Sequence, residues 1–157
     1  MKKFTDKKEN EWILELTVGS AKRVKADCGI DLIDIIDVKT GLQKSPLEEL
    51  ADNPMLLVDV LFSMCRKQAE ERNIDDESFA ELFDGEVIQD AISALVEEII
   101  NFSPPVRRKV LQKIYDKNRQ LMGETEKEIE SIISNPEFDS DLEAYMKSSI
   151  VSPESSE

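Results

Sequence analysis

Met55-Leu-Leu-Val-Asp-Val-Leu-Phe-Ser-Met-Cys-Arg-Lys-Gln-Ala-Glu-Glu71 is the stretch on which the fold turns. Met55, Val58, Leu61, Phe62, Cys65 and Ala69 recur at three- and four-residue steps, and Leu56, Leu57 and Val60 widen the stripe. Asp59, Arg66, Lys67 and Glu70 fall on the other side. Apolar residues at that period line one face of an α-helix, and a stripe this wide predicts a helix at the centre of a core. Asp52-Asn53-Pro54 restarts the chain just before it, with proline in the first turn, where no hydrogen bond is lost.

Working outward, Ser45-Pro-Leu-Glu48 reads as the start of a short preceding helix, with Ser45 as cap and Glu48 reaching back to complete a capping box. On the other side, Asn73-Ile-Asp-Asp76 closes one helix and opens the next, with Asp75 or Asp76 as cap, before Asp84-Gly85 ends it. Residues 86–102 then place Val87, Ile88, Ala91, Ile92, Leu95, Ile99 and Phe102 at helical steps, a second core helix. The predicted core is Val58, Leu61, Cys65, Phe79, Leu82, Phe83, Ile88, Leu95, Ile99 and Phe102. The expected fold is mainly α, a single helical domain of five to seven helices with a short N-terminal β-strand or hairpin.

The strand is read from residues 11–18, where Trp12, Leu14, Leu16 and Val18 share one face at period two. A lone strand cannot satisfy its own backbone, so it pairs either with a short first strand around Phe4 or with another chain. The second option makes Trp12, Leu14 and Leu16 candidate partner-binding residues and the strand a route to a homo-oligomer. Ser20 is placed to cap the following helix and Gly29 to stop it. Asp31, Asp34 and Asp37 align every third residue, which suits either a metal or the wet side of a short helix with Leu32, Ile35 and Ile36 inward. No glycine turn follows them, and the order of Asp75, Asp76, Glu77, Asp84, Gly85 and Glu86, with Phe79 and Leu82 between, does not match a calcium loop, so the solvated face is the expectation.

Beyond Ser103-Pro-Pro105, Val106, Val110, Leu111, Ile114, Leu121 and Met122 line a helix whose other side carries Arg107, Arg108, Lys109, Lys113, Lys117 and Arg119. Gly123 is placed to stop it, and Ile129, Ile132 and Ile133 support a weaker helix after it. Phe138, Leu142, Tyr145 and Met146 form a second candidate partner-binding cluster among acidic residues. Residues 1–146 are read as the helical domain with its N-terminal β element, 124–146 as depending on a partner surface, and 147–157 as a disordered acidic tail.

The chain has 157 residues with 20 Lys and Arg against 34 Asp and Glu, a net charge of -14. Residues 51–102 carry -10, 103–122 carry +5 and 123–157 carry -8. That balance opposes nucleic acids and anionic membranes, and the basic block can be neutralised within the molecule. There is no His, and the two cysteines, Cys28 and Cys65, are too far apart for a CxxC pair. The commonest metal ligand and general base are therefore missing, and no catalytic residue, cofactor or metal is expected. The start, Met1-Lys-Lys-Phe4, is not followed by an apolar run, so a cytoplasmic location with reduced thiols is expected.

Leu16-Thr-Val18, Gly29-Ile-Asp-Leu32, Pro46-Leu-Glu-Glu-Leu-Ala-Asp-Asn-Pro54, Leu56-Leu-Val-Asp-Val-Leu61 and Cys65-Arg-Lys-Gln-Ala-Glu70 together carry a resemblance, continued by residues 79–85, Ala94-Leu-Val-Glu-Glu98 and Asn101-Phe102. The pattern resembles tail assembly chaperones of long-tailed bacteriophages and similar tail proteins of gene-transfer agents, over about residues 10–105. The resemblance implies a non-enzymatic phage or prophage protein of the host cytoplasm that binds the tape-measure protein and tail-tube subunits during morphogenesis. An acidic helical adaptor or regulatory interaction domain is the alternative.

Overall fold

The computed structural model describes residues 1–33 and 46–151. Among them are two strands, β1 (Lys2–Thr5) and β2 (Glu11–Leu14), and eight helices. These are α1 (Val18–Cys28), α2 (Pro46–Asp52), α3 (Pro54–Met64), α4 (Arg66–Glu71), α5 (Asp76–Ala80), α6 (Gly85–Phe102), α7 (Pro105–Ile133) and α8 (Pro136–Val151). The fold is mainly α with an N-terminal β-hairpin, as the sequence predicts. The chain divides into two units, Met1–Lys109 and Val110–Glu157.

In the first unit, β1 and β2 pair antiparallel with Phe4 opposite Trp12 and Lys3 opposite Ile13. The strand is therefore satisfied by the chain's own N-terminal residues, and of the two partners left open by the sequence the hairpin is the one formed. Residues 6–10 make the turn, with Glu9 in the left-handed region at φ 65°. Strand pairing stops at Leu14, although Leu16 keeps the alternation and stays buried. Thr17, in extended conformation, then caps α1, its Oγ1 accepting from Ser20 N at 3.1 Å while Ser20 Oγ accepts from Thr17 N at 2.8 Å. Ser20 thus lies three residues inside the helix as the return arm of a capping box, not at its cap. Gly29 ends α1 at φ 73°, the left-handed conformation that favours glycine.

Helix α3 packs against α1, α2 and α5, and α6 lies along the hairpin. The long helix predicted over Met55 to Glu71 is broken at Cys65, whose φ of -94° and ψ of 10° tighten one turn. The Cys65 N to Leu61 O and Ala69 N to Cys65 O bonds, both 2.9 Å, nevertheless carry the ladder across it. Asn53 caps α3 by accepting from Leu56 N, Asp75 caps α5 through Ser78 N and Asp84 caps α6 through Val87 N. Asp75, Asp84 and the turn between them thus serve helix starts. Phe79 is the hub of an aromatic cluster, edge-on to Trp12 at 4.9 Å and within 5.3 Å of Phe62 and Phe83.

The predicted core is largely observed, with Leu61, Cys65, Phe79 and Leu95 wholly buried and Val58, Leu82 and Ile99 buried. Phe83 and Ile88 are half-buried at its margin, and Phe102 is 36% exposed because it closes the last turn of α6, beyond the hairpin. Met55 is 80% exposed, since it sits in the first turn of α3, ahead of the stripe that faces the core. Ile30 and Leu32 are buried, but residues 31–33 are not helical: Asp31 Oδ1 accepts from Ile33 N at 3.0 Å in a turn. Asp34, Asp37, Ile35, Ile36, Ser45 and the Glu48 side chain, which belong to the metal, amphipathic-helix and capping-box readings, lie outside the described residues.

Helix α7 continues through Gly123 without a break, against the predicted stop. Gly123 is costly to a helix by about 1 kcal/mol, too little to end one that is extended on both sides by good helix formers. Helix α8 reaches Val151, so residues 147–151 of the segment read as disordered are helical, each added residue gaining one hydrogen bond once the preceding turn is formed.

Candidate interaction surfaces

Trp12, Leu14 and Leu16 are 0%, 0% and 5% exposed, so these three candidates are core residues of their own chain and not a surface for a partner. The period-two face read from the sequence is real, but α6 and the aromatic cluster cover it. The Trp12 indole donates from Nε1 to Asp6 Oδ2 at 2.8 Å, and the Arg72 guanidinium stacks 4.3 Å from the ring centre. Asp6 Oδ1 also accepts from Lys8 N at 2.8 Å and Asn10 N at 3.0 Å, and Oδ2 from Asn10 Nδ2 at 2.9 Å. Burial, the largest single influence, raises the Asp6 carboxyl, but the hydrogen bonds from Trp12, Asn10 and Lys8 together outweigh it and hold the group below its ordinary value.

The free edge of β2 is closed by side chains. Gln68 of α4 accepts from Ile13 N through Oε1 at 2.9 Å and donates through Nε2 to Ile13 O at 2.8 Å. Arg72 donates to Glu11 O at 2.7 Å on the same edge, and past the end of the strand Ser20 Oγ donates to Glu15 O at 3.1 Å and Glu98 Oε1 accepts from Leu16 N at 3.0 Å. A third strand would need the Glu11 and Ile13 groups, so the homo-oligomer expected through the N-terminal strand finds the β2 edge already occupied. Periodicity read the inward face correctly but carries no information on where the edge hydrogen bonds go. A groove of about 540 Å³ beside this edge is lined by Ile13, Gln68, Arg72, Lys67 and Glu71 among others.

Neither thiol is activated as a nucleophile. Burial pushes the Cys65 thiol up to about 12, and burial with the charges of Asp59 and Asp27 also raises Cys28. Asp27 Oδ2 accepts from Ser63 Oγ at 2.7 Å and pairs with Arg66; the Ser63 bond is the main reason its carboxyl is lowered. Asp59 is raised by burial and by Asp76. Among the described residues, no group of three or more His, Cys, Asp or Glu is arranged to hold a metal ion. Asp31 is hydrogen-bonded to Lys25 at 3.4 Å.

In the second unit the picture is reversed. Of the cluster predicted on α8, Leu142 is 43%, Tyr145 70% and Met146 53% exposed, while Phe138 is half-buried. Phe138, Leu142 and Tyr145 follow at i, i+4 and i+7, so one side of α8 carries them together. Val110, Ile114, Leu121, Ile129 and Ile132 of α7 are each about half exposed as well, between 43% and 54%. Apolar faces of this extent are what partner proteins cover. The sequence names the α8 residues as a cluster among acidic ones and reads the apolar residues of α7 as two separate stripes, because Gly123 divides that helix in two.

No helix of the described residues is long and apolar enough to cross a membrane. Comparison with family models, with curated proteins and with solved structures finds no match to the chain.

Proposed function

We propose that the chain is a non-enzymatic binding protein of phage or prophage tail assembly, a chaperone that holds the tape-measure protein and tail-tube subunits in the host cytoplasm during morphogenesis. The observation that supports it is the exposure of Leu142, Tyr145 and Met146 along α8. An apolar stripe at helical spacing lies readily in the groove of another helix, and a tape-measure protein is long and helical. The high net negative charge keeps such a coating protein dispersed while its apolar side chains are engaged. The first unit, with its closed hairpin edge and filled core, serves as the scaffold.

Co-expression with the long helical protein encoded beside it tests this. A soluble complex that forms with the natural chain and is lost with Leu142→Asp and Tyr145→Asp is the expected result. If the long protein stays insoluble and unbound, the tail-assembly reading fails and the acidic adaptor takes its place.

A further inference from the structure

We infer that α7 is a self-association helix, pairing antiparallel with α7 of a second copy of this chain. The apolar side chains of its second-unit portion, Val110, Ile114, Leu121, Ile129 and Ile132, are spaced by four, seven, eight and three residues, and Asn118 and Thr125 fill the gaps. The complete seam therefore steps 4-4-3-4-4-3, an eleven-residue repeat that stays on one side of a nearly straight helix. All five apolar members are 43% to 54% exposed, with α8 present in the same unit.

The charge pattern selects the occupant. Lys113, Lys117, Glu124 and Glu128 lie together along one flank of the seam, basic in the N-terminal half and acidic in the C-terminal half, and all four are exposed. When two copies run antiparallel about a twofold axis near Leu121 and Met122, Ile114 of each meets Ile129 of the other, Val110 meets Ile132 and Ile133, and Asn118 meets Thr125. In the same register Lys113 and Lys117 face the second copy's Glu128 and Glu124, and Arg119 on the other flank faces Glu126. Apolar positions meet apolar ones and Lys113, Lys117 and Arg119 each meet an opposite charge, which is the self-complementarity a twofold interface requires. Parallel pairing would instead set the two basic N-terminal halves side by side, and the two acidic C-terminal halves likewise.

Within one helix the same pattern is unfavourable. Lys113 and Lys117 are like charges one turn apart, as are Glu124 and Glu128, and none of the four has an ion-pair partner among the described residues. A second copy removes that repulsion by placing an opposite charge beside each. The surface is separate from Phe138, Leu142, Tyr145 and Met146, so the inference goes beyond the proposed function and stands or falls without it.

Size-exclusion chromatography with light scattering on the full chain tests it, at about 100 μM, above a Kd of order 1 μM. The natural chain is expected at twice its 17.9 kDa mass. The double variants Lys113→Glu with Lys117→Glu, and Glu124→Lys with Glu128→Lys, are each expected at the monomer mass with helix content retained by circular dichroism. Mixed together, the two variants should restore the doubled mass as a heterodimer, because each now supplies what the other lacks. If either double variant fails to fold, the chain carrying all four exchanges is used instead, and it should regain the doubled mass. A monomeric natural chain, charge variants that still dimerise alone, or a mixture that remains monomeric would each overturn the inference, the last because it excludes antiparallel pairing. Tyr145→Asp should leave the mass unchanged, which separates this surface from that on α8.

Discussion

The side-chain amide of Gln68 makes both hydrogen bonds to the backbone of Ile13, through Oε1 at 2.9 Å and Nε2 at 2.8 Å, and so stands where a third strand would pair. A two-stranded hairpin is marginal by itself. Here one face is buried by α6 and the aromatic cluster, and the free edge is satisfied by α4.

Gln68→Ala should therefore cost about 1 kcal/mol of stability, the low end for two hydrogen bonds, because the exposed edge lets water replace them. Urea denaturation measures this. Light scattering on the same variant should show concentration-dependent association, since the Ile13 groups become free to pair with another chain.

Asp6→Ala leaves the buried Trp12 indole N–H without an acceptor and should cost about 1–3 kcal/mol. The Asp6 carboxyl is held below its unfolded value, so its contribution is complete above the unfolded pKa of about 3.9 and is lost as pH falls through the folded value. The urea midpoint of the natural chain should fall on acidification from pH 5 downward. In Asp6→Asn, which cannot ionise, the acid limb should be shallower.

Leu61→Ala and Leu95→Ala, both at wholly buried positions, should each cost about 2–5 kcal/mol. Phe102→Ala, at a side chain 36% exposed, should cost clearly less than a fully buried aromatic does. Thermal melts of the three variants compare them directly. Equal losses for Phe102 and Leu95 would contradict the helix face assigned to α6.

Glu9 holds φ 65° in the hairpin turn, a conformation that costs a residue with a Cβ roughly 1–2 kcal/mol and glycine little. Glu9→Gly should stabilise the protein by about 0.5–1 kcal/mol after glycine's larger unfolded-state entropy is deducted. A rise in the urea midpoint with an unchanged slope is the expected reading.

Both thiols should be slow to alkylate in the folded protein, Cys28 before Cys65. The Cys65 thiol is wholly buried and pushed up to about 12, whereas Cys28 is only half-buried. Timed iodoacetamide labelling near pH 8 followed by peptide mass spectrometry gives the order.

Periodicity and caps were local enough to be legible in the residues themselves. The stripes Val58-Leu61-Cys65 and Ala91-Leu95-Ile99, the turn at Asn73 to Asp76, the αL glycine at position 29 and the proline starts at 46, 54 and 105 each express a constraint acting over a few residues. They determined a mainly helical chain with one β element. Gly123 misled because a single-residue propensity is small against propagation of a long helix.

What the tertiary structure alone decided is which apolar face is covered. Trp12, Leu14 and Leu16 on the hairpin and Leu142, Tyr145 and Met146 on α8 both read from sequence as candidate partner-binding residues, yet the first three are buried and the last three exposed. The difference lies in long-range contacts. Phe79, Gln68, Arg72 and Glu98 converge on the hairpin from separate parts of the chain, and Leu142, Tyr145 and Met146 stay open to solvent. A sequence pattern states that a face must be buried, and only the packed chain shows whether it has buried that face by itself.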